Sequence, residues 1–383
     1  MRQTGAARGD DMRLPRLSRR SFLTTSGAAL AGLGGGLAPS PARPQDGTPP
    51  PEVRNQREGM RYRVLGRTNL LVSVLGQGGE GMRAEVLSAA LDRGVNLLHV
   101  AEAYGHCFAE VARVLPDRRG ELFLGVKSVA AADQFADWLN TLRTDHADIV
   151  FHPTEEPDEA RDTNGAIRER YAALRKAGLV RFLGLTIHSR VAEVGQAALE
   201  VDHWDIIMLN FGPDLRDQGG PVLDGAAERH VGTLGMKALA GTKGAATRTA
   251  FQTALEKPSL ASVVKALPDF ELLDMLAQAA QEVPTAEARA ELWQQVVAQR
   301  PFTCRMCSAC RACPRGIAVE ESLRCLLYYD AQHGDQEHAR QVYASLPRER
   351  TVAACAACGT CERVCPNGLP VRDLLHQAEA RYG

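Results

Sequence analysis

Net charge is almost absent from this chain. Its 45 lysines and arginines stand against 46 aspartates and glutamates, a balance of −1. That argues against a broad nucleic-acid surface, and a 45% hydrophobic content argues against disorder. Long apolar runs are absent too. The best candidate, residues 22–38, is short and rich in Gly and Ala, which excludes a stable membrane span. Cysteine is nearly absent from the first 300 residues, where only Cys107 occurs. The other nine of the ten cysteines crowd into the last 83 residues. A disulfide framework would spread over its domain, so this crowding reads as a metal module. At 383 residues the chain has room for two domains with a core of normal size.

The first 42 residues are set aside from the fold. They contain SRRSFL (18–23), a weakly apolar Ala/Gly stretch, and small residues Ser40 and Ala42 placed for cleavage. This resembles a twin-arginine export signal, with Arg19 and Arg20 as the pair. The resemblance implies an exported protein, periplasmic or membrane-associated. Residues 43–59 hold four prolines and read as a linker.

From residue 61 short apolar runs alternate with helical stretches. The expected strands are 72–76, 95–100, 122–127, 148–152, 180–186, 205–210, 230–237 and 260–267. Helix-like stretches such as MRAEVLSAALDRG and GAIRERYAALRKAG separate them and end in Gly, as helices often do. Eight strand–helix units in about 225 residues predict a (β/α)8 TIM barrel over 60–285. An open doubly wound sheet would begin with a Gly-rich phosphate loop, and QGGEG (77–81) lacks that spacing. In a barrel the active site lies at the C-terminal strand ends. His99 and Tyr104, Lys127 and His152 fall at the ends of the second, third and fourth strands, and are expected to converge on one rim.

Residues 60–285 resemble the aldo/keto reductase family. The resemblance rests on MRYRVLGRTNLLVSVLGQGG, GVNLLHVAEAYG, the Lys-ending third strand, the His-ending fourth, GLVRFLGLTIHS and GMKALAGTKG. It implies a catalytic tetrad in which Tyr104 donates a proton, Lys127 assists it, and His152 lies beside them. The family's fourth member is an Asp, and here that position is His99. A neutral imidazole accepts a hydrogen bond from an ammonium but supplies no negative charge. The family's cofactor would be NADP(H). Its nicotinamide is held by a Ser–Asn pair and a Gln, where this chain has Thr186, Ile187 and Met208. Thr186, Asn210, Lys237 and Lys265 are the candidate cofactor contacts that remain, a thin set.

The C-terminus carries CRMCSACRACP and CAACGTCERVCP. Three thiolates at i, i+3 and i+6 wrap one face of an iron–sulfur cube, and a remote fourth closes it. Zinc sites favour paired knuckles with longer gaps. Two [4Fe–4S] clusters are therefore expected in residues 286–383. As in two-cluster ferredoxins, the ligands should cross over: Cys304, Cys307, Cys310 and Cys365 on one cluster, Cys355, Cys358, Cys361 and Cys313 on the other. Cys325 falls on an expected helix and reads as core. The module resembles the helical dicluster ferredoxins of respiratory iron–sulfur subunits. The two halves together resemble a subset of aldo/keto reductase-like proteins with this addition.

Two functions follow as expectations. One is an exported iron–sulfur oxidoreductase that passes electrons between the clusters and a small-molecule substrate in the barrel, served by a redox partner protein or a small-molecule donor or acceptor. The other is a non-enzymatic electron-transfer subunit whose barrel is a degenerate docking scaffold.

Overall fold

The computed structural model describes residues 49–331 and 334–383. The export-signal segment and residues 43–48 of the linker lie outside them. Three short strands come first: β1 (Glu52–Val53), β2 (Tyr62–Val64) and β3 (Leu70–Ser73), in the order β1-β3-β2. Residues 49–59, expected as a linker, are anchored instead. Strand β1 pairs with β3, and Arg54 reaches the buried Asp148. Burial alone would raise the Asp148 carboxyl, but Arg119 and Arg54 outweigh it and hold it low.

Eight parallel strands then close a barrel: β4 (Leu75–Gly78), β5 (Leu97–Ala101), β6 (Phe123–Lys127), β7 (Ile149–Pro153), β8 (Phe182–Ile187), β9 (Ile206–Asn210), β10 (Gly232–Met236) and β11 (Ser262–Ala266). Each matches an expected strand within a few residues. Side chains alternate between two apolar layers, as the period of a strand requires. Leu97, Phe123, Ile149, Phe151, Ile206, Met208, Leu234 and Val264 fill the lumen. Leu98, Leu124, Val150, Ile207 and Val263 pack outward against the helices. Phe151 crosses the lumen between two glycines. A Cβ on Gly125 would fall 2.6 Å from its ring, so that position admits no side chain. Leu65, Leu70 and Val72 join the lumen cluster from the β2–β3 hairpin.

The helix Ala286–Gln299 packs on the barrel through Leu292 and Val296. Beyond it lies the cysteine-rich domain. Its helices are Val319–Leu323, Gln336–Ala344 and Val371–Tyr382, with Arg324–Asp330 wound as a π-helix after the first. Among the described residues no helix is long and apolar enough to cross a membrane.

Candidate functional site at the barrel mouth

The lumen register decides which side chains enter the mouth. Leu97 faces inward, so His99 does too. Phe123 faces inward, so Lys127 does too. His99 is 6% exposed, and its ring lies 6.2 Å from Tyr104 and 5.2 Å from Phe151. Its Nε2 has no hydrogen-bond partner among the described residues. Burial, and then the Lys127 charge, push His99 down to about 3, so it is neutral. Lys127 Nζ stands 4.7 Å over the centre of the Tyr104 ring, a cation–π contact with the ring face. Glu102 sits on the exposed turn after β5 and forms no ion pair with Lys127 among the described residues.

His152 does not join this group. It follows the inward Phe151 by one residue, so it points into the helix layer. Arg170 donates to its Nδ1 at 3.1 Å, which leaves the proton on Nε2, bonded to Glu159 Oε1 at 3.0 Å. Both ring nitrogens are engaged away from the mouth. The expected convergence of four residues is therefore a convergence of three. Sequence reasoning missed His188, two residues beyond the inward Thr186 and so on the lumen register. It borders the same cavity as His99 and Tyr104. Burial, then Lys237 and Lys127, hold it far below its usual range.

The candidate cofactor contacts disperse. Thr186 Oγ1 is buried without a partner. Ile187 packs in the outer layer, and Met208 lies in the lumen. Asn210 is committed to backbone: its Nδ2 donates to His188 O at 3.0 Å and its Oδ1 accepts from Gly212 N at 3.2 Å. Lys265 borders the cavity at the end of β11. Lys237, at φ +55° after β10, is the pivot. Its Nζ meets Met306 Sδ at 2.7 Å and lies 4.1 Å over the ring of Tyr328.

Met306 and Tyr328 belong to the cysteine-rich domain, which sits on the C-terminal mouth of the barrel. Tyr328 comes from the π-helix, and its hydroxyl donates to Glu80 after β4 at 3.4 Å. Arg324 and Arg311 reach Glu155 after β7 at 3.3 and 3.6 Å, and Arg300 reaches Asp214 after β9 at 3.0 Å. The spaces left beside Lys265 and beside Asn210 are about 90 and 70 Å³, and Tyr328 walls both. Ligand sites usually need about 300 Å³ or more. The residues present do not make room for a nicotinamide dinucleotide there. A third space, about 580 Å³, opens between the two domains and is lined by Tyr104, Lys127, His188, Lys237, Arg324 and Tyr328 among others.

The eight thiols fall into two neighbourhoods. Cys304 feels Cys307 and Cys365, and Cys310 feels Cys304 and Cys307. All four line one chamber, which Cys361 of the other group also borders. Cys361 feels Cys313 and Cys355, with Cys358 more exposed. Burial is the main cause that raises Cys304 to about 11 and Cys310 to about 12. Metal binding there must displace protons. Among the described residues no three His, Cys, Asp or Glu groups converge as they would on a single ion. Thiolates around a cube each bind a different iron, so they need not converge on one point. The donor set, its apolar shell of Ile317, Val319, Leu323 and Leu369, and N–H donors such as Met306 N to Cys304 Sγ at 3.4 Å fit iron–sulfur clusters. Cys325 lies in a separate apolar group with Ala339, Tyr343 and Tyr382.

Residues 302–370 match the family described as 4Fe-4S dicluster domain. Another 57–62% of the chain is similar to solved aldo-keto reductase structures. A Pseudomonas aeruginosa protein described as an aldo-keto reductase is 27% identical, with 57% of this chain and 94% of that chain covered and a TM-score of 0.50. A second structure so described, also from Pseudomonas aeruginosa, gives 26%, the same coverage and a TM-score of 0.51. The aldo-keto reductase AKR11C1 from Bacillus halodurans, in its holo form, is 19% identical over 62% of this chain and 96% of that one, with a TM-score of 0.51, and shows the fold alone. No curated protein matches the chain.

Proposed function

We propose that this chain, an aldo-keto reductase-type barrel capped by a 4Fe–4S dicluster domain, is an exported iron–sulfur oxidoreductase. It holds two [4Fe–4S] clusters and exchanges electrons with a small molecule in the cleft between the domains. One observation carries the reading: Met306, from the loop of Cys304 and Cys307, touches Lys237, which lines that cleft. When bound, such clusters supply or accept single electrons. Cys304, Cys307, Cys310 and Cys365 would hold the cluster nearer the mouth, and Cys313, Cys355, Cys358 and Cys361 the other.

The chain's own residues do the rest. Tyr104 presents its hydroxyl at the cleft, where it would pass a proton to a bound oxygen. Lys127 over its ring places positive charge beside that oxygen. His99 keeps the Asp position of the related family neutral, so Lys127 lacks the carboxylate partner that family gives it. Export is supported by SRRSFL, and twin-arginine transport carries folded proteins, so clusters can be inserted beforehand.

The test is anaerobic. Reduced holoprotein is mixed with a panel of small carbonyl and quinone acceptors, and return of the bleached visible absorption is timed. Reoxidation slowed by Tyr104→Phe and by Lys127→Met, at unchanged iron content, supports the reading. A second reading, a barrel that serves only as a docking scaffold, is favoured by His152 facing away from the mouth. It wins if both variants leave every rate unchanged.

A further inference from the structure

Lys127 and Lys237 both border the interdomain cleft, and neither is ion-paired with a carboxylate among the described residues. Each rests on an aromatic face instead: Lys127 on Tyr104 and Lys237 on Tyr328. Ring faces stabilise an ammonium only partly, and they leave N–H donors unused. By contrast Arg324, the third cation of the cleft, is satisfied by Glu155 at 3.3 Å, Glu321 at 3.3 Å and Glu320 at 3.6 Å. Glu80 and Glu155 line the same cleft and act on Lys237, yet burial outweighs them and pushes it down to about 7, so an anion between the two lysines would favour the charged form of Lys237.

Next to the cleft, and sharing Tyr104, His188 and Lys237 with it, lies a smaller throat lined by Met208, Met236 and Val264, with Lys265 and Glu80 also on its wall. His99 also lines it, 6% exposed, with Nε2 unpartnered among the described residues. A buried polar atom without a partner needs an explanation, and a ligand atom supplies one. The site thus offers two lysine amines on the cleft, a throat with an apolar side next to it, and one hydrogen-bonding nitrogen on the throat wall. QGGEG, near the mouth, lacks the spacing of a Gly-rich phosphate loop.

We propose that the interdomain cleft binds a small carboxylic acid, its carboxylate between Lys127 and Lys237, its carbon body in the Met208–Met236 throat, and a second oxygen bonded to His99 Nε2. The assignment rests on the cleft being the substrate site of the proposed oxidoreductase. It names the chemical class that the two lysines recognise. Lys237 also touches the Met306 loop, so a bound acid would lie next to the cysteine-rich domain.

Equilibrium binding separates this idea from the redox reading, because it needs no turnover. Oxidised holoprotein is titrated calorimetrically with acetate, pyruvate, benzoate and 4-hydroxybenzoate, with the amide of each acid, and with inorganic phosphate. At least one acid should bind about tenfold more tightly than its amide, a difference of about 1.4 kcal/mol. Lys127→Met and Lys237→Met should each erase that preference, and Lys127→Arg should keep it. His99→Phe should erase any advantage of 4-hydroxybenzoate over benzoate while the acid-over-amide preference stays. Iron content and thermal melts, taken for each variant, confirm that the fold is intact. If Lys237→Met fails to fold, Lys127→Met and Lys127→Arg decide alone. Acids bound no better than their amides, phosphate bound more tightly than every acid, or a preference that survives Lys127→Met would overturn the proposal. If an acid binds as described while no acceptor reoxidises the clusters, the redox reading fails and the site stands.

Discussion

His99 is the residue that departs most from the related family, and the structure gives the departure a measurable consequence. An unfolded His titrates near 6.5, whereas burial and Lys127 hold the folded one at about 3. Below the unfolded value, the unfolded chain takes up a proton that the folded chain refuses. Stability therefore falls as pH drops from 6.5 toward 3, and this contribution is complete only above 6.5. Urea unfolding at pH 7 and pH 5.5 should show His99→Gln losing about 1 kcal/mol less than the wild type across that interval, from one proton's linkage. Equal losses would mean that His99 is not held neutral. The same scale explains His152. Its parity with Phe151 turns it outward, where it bridges Glu159 and Arg170. His152→Ala removes one hydrogen bond from each partner, while Glu159 keeps Thr154 and Arg170 keeps Ser128 and Ala130, and should cost about 1 kcal/mol in unfolding assays. The reoxidation of reduced protein should be unaffected.

At the scale of elements, the cysteine-rich domain is built twice from one local plan. Met306 and Ser308 follow Cys304 in left-handed conformations, at φ +53° and +60°. Ala357 and Gly359 follow Cys355 in the same way, at φ +52° and +70°. In each half a Cys-Pro turn then closes on a glycine: Gly316 N donates to Cys313 O, and Gly368 N to Cys365 O, both at 3.1 Å. A helix leaves each turn, Val319–Leu323 in one case and Val371–Tyr382 in the other. Left-handed backbone turns successive N–H groups toward a thiolate, so this plan makes each triplet a cradle. Reconstituted protein should carry about eight iron atoms, the content of two four-iron cubes. Cys358→Ser should lower that count and Cys325→Ser should leave it unchanged, by iron and sulfide assay. A full count in the Cys358 variant would remove it from the ligand set. The π-helix Arg324–Asp330 is the second element with a purpose. Its wider turn carries Arg324 and Tyr328 onto the barrel rim.

The whole molecule differs from a barrel with a domain attached at its edge, because the added domain covers the mouth. Two expectations follow. Holoprotein should show no enhancement of NADPH fluorescence on titration, since Tyr328 walls both spaces near Asn210 and Lys265. Saturable enhancement would mean that the domain lifts to admit a dinucleotide. Export belongs to the same scale. Arg19→Lys with Arg20→Lys should strand the folded, cluster-bearing protein in the cytoplasm, measured by cell fractionation. Appearance of the altered chain outside would remove the twin-arginine reading.

The eight barrel strands and the cysteine-rich helices were legible in the sequence because they follow from local period: two for strands, 3.6 for helices, with Gly at the stops. The dicluster domain was legible because a C-x2-C-x2-C loop reaches one face of a cluster wherever it folds. Parity was legible too, and would have shown His152 turned outward and His188 turned inward had each strand been counted from Phe151 and Thr186. What no local pattern contains is the seat of one domain on the other. Met306 meets Lys237 across 69 residues of chain, and Tyr328 meets Glu80 across 248. Such contacts depend on how two finished surfaces fit. Only the tertiary structure could decide that Tyr328 walls the spaces beside Asn210 and Lys265 and that Lys127 and Lys237 face the cleft that remains.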